Sequence, residues 1–103
     1  MTSDKISLSF QQVSGLDEAP RAKKVTKLFL AHNHLSSLAG IEAFSRLTHL
    51  SLSHNRLQDI EELAKVRTEL ECLAVKGNFL DRHPDYKSLI LRFFPRLKEL
   101  DGI

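Results

Sequence analysis

The 103-residue chain has no tryptophan, one cysteine, three prolines and four glycines. A lone cysteine, Cys72, cannot close an internal disulfide, so nothing covalent staples the fold and a reducing compartment is expected. No stretch approaches the roughly 18 consecutive apolar residues that mark a membrane helix, and no membrane role is expected. Met1-Thr2-Ser3-Asp4-Lys5 lacks the apolar core of a secretory signal. An excess of one charge is missing too: 15 Lys and Arg stand against 13 Asp and Glu, a net of +2. That balance is too small to argue for nucleic acid by itself. No Gly-rich phosphate loop, nucleophile elbow or metal-ligand spacing occurs, so neither an enzyme nor a cofactor or metal is expected.

What the chain has in plenty is leucine, and it is periodic. Leu47-Thr48-His49-Leu50-Ser51-Leu52-Ser53-His54-Asn55-Arg56-Leu57 reads L-x-x-L-x-L-x-x-N-x-L. Leu50 and Leu52 alternate with serines as on a half-buried strand, and the chain then turns at Asn55. Copies centred on Ile6, Leu28 and Leu73 surround this one, at steps of 22, 22 and 23 residues. The strand columns hold Ile6/Leu8, Leu28/Leu30, Leu50/Leu52 and Leu73/Val75, and the turn column Gln11, Asn33, Asn55 and Asn78. The next inward column holds Val13, Leu35, Leu57 and Leu80. Every third residue of the return path stays apolar, as at Ile41, Phe44, Leu47 and at Leu63, Val66, Leu70.

Each copy can hide its leucines only against its neighbours, so the copies must stack as a solenoid with parallel strands lining one face. The asparagine satisfies backbone groups buried where the chain leaves the strand. One or two helical turns are expected on the return paths. Pro20 speaks against a long helix in the first of them. The first copy is the least regular, since Gln11 replaces asparagine and Leu8-Ser9-Phe10 offers a competing register; an edge strand is expected there. After Asn78 the rhythm breaks. Tyr86, Leu89, Ile90, Phe93 and Phe94 make an apolar stripe, predicting a helix over Lys87 to Phe94 with Pro84 in its first turn and Pro95 as its stop. Such a cap covers the last open core face, and Leu97 and Leu100 then read as a closing strand.

These residues resemble the leucine-rich repeat proteins of the short, 22-residue class. That class is typified by a phosphatase regulatory subunit, the spliceosomal A-prime protein and axonemal dynein light chain. The run from Asn78 to Gly102, with its F-P-R-L-K-x-L-D-G ending, is similar to that family's C-terminal cap. The resemblance implies an α/β solenoid, a short horseshoe with strands on the concave face and a helical cap. One domain over 1–103 is expected, with repeats starting near 3, 25, 47 and 70 and the cap at 81–103. It also implies a non-catalytic module that binds proteins, occasionally protein with RNA, and needs no cofactor; a monomer is expected. Gln11 and the small number of repeats depart from the pattern and limit the size of partner that the surface can wrap.

Side chains flanking the buried leucines point to the concave face. The expected protein-binding set is Lys27, Phe29, His32, His49, Ser51, His54, Cys72 and Lys76, within an outward set that also takes in Glu99 and Asp101. Phe29 gains nothing for the fold if it faces water, whereas interfaces favour aromatic anchors; the plainer reading is that it leans on Lys27 or a neighbouring repeat. His32 and His54 share a column, and His49 beside them raises the thought of zinc. A zinc site wants four convergent ligands, however, and here the side chains run parallel. Polar contacts or plain solvation are the expectation. Cys72 has the plain reading of an inert small residue. Arg21, Lys23 and Lys24 form the strongest basic patch, by default a solvated face and otherwise a contact for phosphate or an acidic peptide.

The expected function is therefore protein–protein interaction by a protein or peptide on the concave face. By family analogy the chain reads as the N-terminal domain of a longer cytoskeletal scaffold, cytoplasmic, at the centrosome or cilium. The alternative is a nuclear ribonucleoprotein assembly module that meets RNA beside a protein. Nucleic acid by itself is not expected, and a structural spacer is the third reading.

Overall fold

The computed structural model describes residues 5–7, 24–66 and 69–102. Five short strands, β1 (Lys5–Ser7), β2 (Lys27–Phe29), β3 (His49–Ser51), β4 (Cys72–Ala74) and β5 (Glu99–Leu100), form one parallel sheet in chain order. The register pairs Ile6 with Leu28, Leu28 with Leu50, Leu50 with Leu73 and Leu73 with Leu100. This is the ladder of leucines that the spacing demands, and β1 is the edge. The competing register at Leu8 is not used. Gln11, Val13, Leu16 and Pro20 lie outside the described residues, as does the insertion between Val66 and Leu70.

The return paths carry tight 3-10 helix, one turn at Ile41–Ala43 and two at Ile60–Lys65. They turn every third residue inward, which is why Ile41, Phe44 and Leu47, and then Leu63, Val66 and Leu70, are buried. With Leu28, Leu30, Leu50, Leu52, Leu73 and Val75 from the strands they make one continuous core. Glu62 ties two coils together. Its carboxylate accepts from the Leu38 amide of the coil before (2.7 Å) and holds Lys65 at 2.9 Å. Burial pushes this carboxyl up, but the Leu38 amide and then Lys65 outweigh it and hold it below its ordinary value of 4.5.

The asparagine column does what its position demands. Asn55 Nδ2 donates to the carbonyl of Leu52 in its own coil (3.0 Å) and of Leu30 in the coil before (2.9 Å). Its Oδ1 accepts from the Leu35 amide at 3.0 Å. Asn78 repeats the set one coil later, with Val75 O and Leu52 O at 2.8 Å and the Leu57 amide at 3.0 Å. Asn33, Asn55 and Asn78 are the three buried polar residues among those described.

The cap departs from expectation in three places. A 3-10 turn at Phe79–Arg82 precedes the helix, and the helix α1 runs Tyr86–Phe93. Pro84 therefore sits in the turn before α1, not in its first turn, and Asp85 is the residue at its start. Ile90 and Phe94 close the core, but Phe93 stays 37% exposed because Phe94 leaves the helix and turns inward in its place. Asp101 was expected among the displayed residues. Instead the chain turns there at φ 54°, and Oδ1 accepts from the amides of Val75 (2.8 Å) and Lys76 (3.0 Å). In earlier coils the equivalent amides of Leu30 and Leu52 donate to carbonyls of the next strand, Ser51 and Ala74. Because β5 ends at Leu100 and the chain turns at Asp101, its side-chain carboxylate takes the place of the backbone carbonyl that a longer β5 would offer.

Two outcomes follow. Asn55→Ala removes three buried hydrogen bonds and orphans the Leu35 amide, lowering stability by about 3 kcal/mol in urea denaturation. Glu62 has its pKa depressed by folding, so the stability it contributes is present in full above its ordinary 4.5 and lost as pH falls below. The stability advantage of wild type over Glu62→Gln, measured by denaturation across pH, should shrink in that acid window.

Candidate functional site

The register that aligns the leucines also aligns what stands between them. One row across the sheet is Lys5, Lys27, His49, Cys72 and Glu99, and the next is Ser7, Phe29, Ser51 and Ala74. Of these Lys27 and Glu99 are exposed, and Phe29, His49, Ser51, Cys72 and Ala74 are half-buried. All of them but Lys27 line a depression of about 260 Å³ on the sheet face, with Phe29 on β2 at one side and Glu99 and Gly102 at the other. Its walls are mainly apolar carbon with a few polar tips.

His32, His54 and Lys76 stand further along the strands, past their C-terminal ends. His32 and His54 occupy the turn at φ 59° and 57°, each just before the buried asparagine, and Gly77 takes the same place at φ 87° in the next coil. The two imidazoles stack at 4.4 Å between centroids and 15° between planes. A side chain at Gly77 would collide with the His54 ring, so the glycine makes room for it as well as for the turn. The stacked rings run parallel, as the column spacing implies. Among the described residues no group of three or more His, Cys, Asp or Glu is placed to hold a metal. His49 belongs to a different place: its Nδ1 is 2.8 Å from the Thr48 hydroxyl, inside the row of the depression.

Of the basic patch, Lys24 is exposed, while Arg21 and Lys23 lie outside the described residues. A larger cleft, about 620 Å³, is elsewhere, on the rim where the strands begin, lined by Arg46, Glu69, Glu71, Arg96 and Lys98. Two exposed ion pairs, Arg96–Glu69 and Lys98–Glu71, both at 3.3 Å, cross it. Its charges answer one another, which leaves little for a ligand. No helix among the described residues is long and apolar enough to cross a membrane. Sequence reasoning passed over Phe79, 43% exposed with the Arg82 guanidinium 5.1 Å above its ring, because it falls where the repeat pattern stops.

Cys72 lies in the floor of the depression with its Sγ 3.8 Å from Glu99 Oε2. Burial, and after it the Glu99 carboxylate, push the thiol above its ordinary value. The thiolate is the reactive form, so Cys72 should alkylate with iodoacetamide more slowly than the unfolded chain at pH 8. Glu99→Gln should move the rate–pH profile to lower pH, and an unmoved profile would remove the carboxylate as a cause.

Comparisons with known proteins bear on this geometry. A family model described as Leucine Rich repeats (2 copies) matches residues 23–65. No curated protein matches the chain in sequence. Among solved structures, one from the Drosophila melanogaster SNF/U2A′ complex superposes with a TM-score of 0.86 at 29% identity, covering 97% of this chain. This chain spans 60% of that one. A second, from the Chaetomium Mex67:Mtr2 subunits, superposes with a TM-score of 0.72 at 23% identity, over 96% of this chain and 81% of its own, a likeness of fold.

Proposed function

Because the chain is a leucine-rich repeat protein of the short-repeat type, we propose that it is a non-catalytic, monomeric module whose sheet face docks a protein or peptide partner. The observation that carries the reading is the alignment of Phe29, His49, Ser51, Cys72 and Glu99, drawn from β2 to β5, around one depression. Half-buried aromatic and small residues there give a partner area to bury, and exposed Lys27 and Glu99 at the flanks give it orientation. His32, His54 and Lys76 lie at the border, where contacts are wetter and weaker.

Two settings compete. A cytoskeletal scaffold at the centrosome or cilium rests on family analogy alone. Assembly within a nuclear ribonucleoprotein has the likeness to a chain crystallised in the SNF/U2A′ complex behind it, and we favour it. In that setting the partner on the sheet is still a protein. RNA would meet the chain, if at all, through the basic patch that includes Lys24.

Affinity capture with the chain, beside Phe29→Ser and Lys27→Glu variants that keep the wild-type circular dichroism, tests the proposal. Partners lost from both variants support the sheet face, and an unchanged set overturns it. Salt then separates the settings. Direct RNA binding falls steeply between 50 and 200 mM salt, by roughly tenfold for every few phosphates contacted, whereas a largely apolar protein contact does not.

A further inference from the structure

We propose that this surface is charge-ordered and selects a dipolar partner: a helix or strand laid across the sheet, acidic at one end, apolar in the middle and basic at the other. The inference rests on the docking reading above and adds the chemistry of the occupant. In register order the first row reads Lys5, Lys27, His49, Cys72, Glu99, so cationic residues open it and an anionic one closes it. At about 4.8 Å between strands, Lys27 and Glu99 stand roughly 14 Å apart with the depression between them.

Neither Lys27 nor Glu99 is in an ion pair among the described residues, where the ion pairs join Lys65 to Glu62, Arg96 to Glu69 and Lys98 to Glu71. On the rim cleft, by contrast, opposite charges already hold each other. Asp101 adds little to the acidic end, since its carboxylate is taken by the amides of Val75 and Lys76 and by the Tyr86 hydroxyl. Lys76 is exposed but lies past the strand end, off the row.

A uniformly negative ligand, such as an RNA backbone, would gain at Lys27 and lose at Glu99. A uniformly basic one would do the reverse. A segment with opposite charges separated by about 14 Å satisfies both ends, which is about ten residues of helix or four of extended chain. Its centre would set an apolar side chain into the depression between Phe29 and Cys72.

The test uses four designed helical peptides of one length with a leucine centre. Their ends carry Glu and Lys, Glu and Glu, Lys and Lys, or Gln and Gln, and each is titrated at low salt into the isotope-labelled chain while backbone amide shifts are read. The Glu/Lys peptide should bind wild type about fivefold tighter than either single-sign peptide, with shifts on β2 to β5. Lys27→Glu should turn the preference to the Lys/Lys peptide, and Glu99→Lys to the Glu/Glu peptide. The double variant, with the charges exchanged, should regain the Glu/Lys peptide, which binds turned end for end. Equal binding of all four on the same strands would overturn the charge order and leave the docking surface standing. Tightest binding of the Glu/Glu peptide, or of a single-stranded RNA of equal length, would replace it with a plain basic site. Shifts with none of the peptides would also overturn it, and the capture experiment would then judge the docking surface separately.

Discussion

Everything in this molecule depends on satisfying the backbone where each coil leaves the sheet. Sharp turns at the edge of an apolar core bury amides and carbonyls away from water, and each one left unpaired would cost about 1–3 kcal/mol, comparable to what a buried leucine contributes. Asn33, Asn55 and Asn78 solve this with one short amide per coil. The turn can be sharp only because His32, His54 and Gly77 accept the left-handed backbone just before it. With the turns fixed, the strands fall into register, and the leucines meet as a consequence.

The same register decides the surface. Strand residues alternate inward and outward, so a perfect ladder of buried leucines is necessarily a perfect ladder of displayed side chains. The fold needs nothing from those displayed positions beyond size and a tolerance for extended backbone. They are therefore where one solenoid differs from another. In this chain they run from lysine to glutamate past a phenylalanine, whereas the rim is stitched by its own ion pairs.

Periodic features are legible in the sequence because repetition turns a weak local signal into a strong one. Leu28, Leu50 and Leu73, the asparagines of the turn column and, among the described residues, Ile41, Phe44, Leu47, Leu63, Val66 and Leu70 of the return paths fall where the spacing puts them, with Ile60 only partly buried. The parallel pairing of His32 and His54 is legible in the same way. What escapes is whatever happens once. Asp101 looks like another displayed residue because nothing in its neighbours says that the sheet ends there. The start of α1 is misplaced because Pro84 suits a turn as well as a first helical position. The depression itself depends on how far Phe29 and Glu99 reach toward each other, a matter of three-dimensional shape that column logic does not contain.

The amide ladder also has a direction. Asn55 serves the Leu35 amide behind it, Asn78 serves the Leu57 amide behind it, and Asp101 serves Val75. These particular amides are completed by the coil that follows in the chain, whereas others, such as those of Thr48 and Arg56, donate to carbonyls of the coil before. On a ribosome, where the N-terminus emerges first, every coil waits with an unanswered N–H until roughly another repeat has been translated. Maturation is thus a sequence of delayed closures, in which the segment around Asp101 answers the amides of Val75 and Lys76.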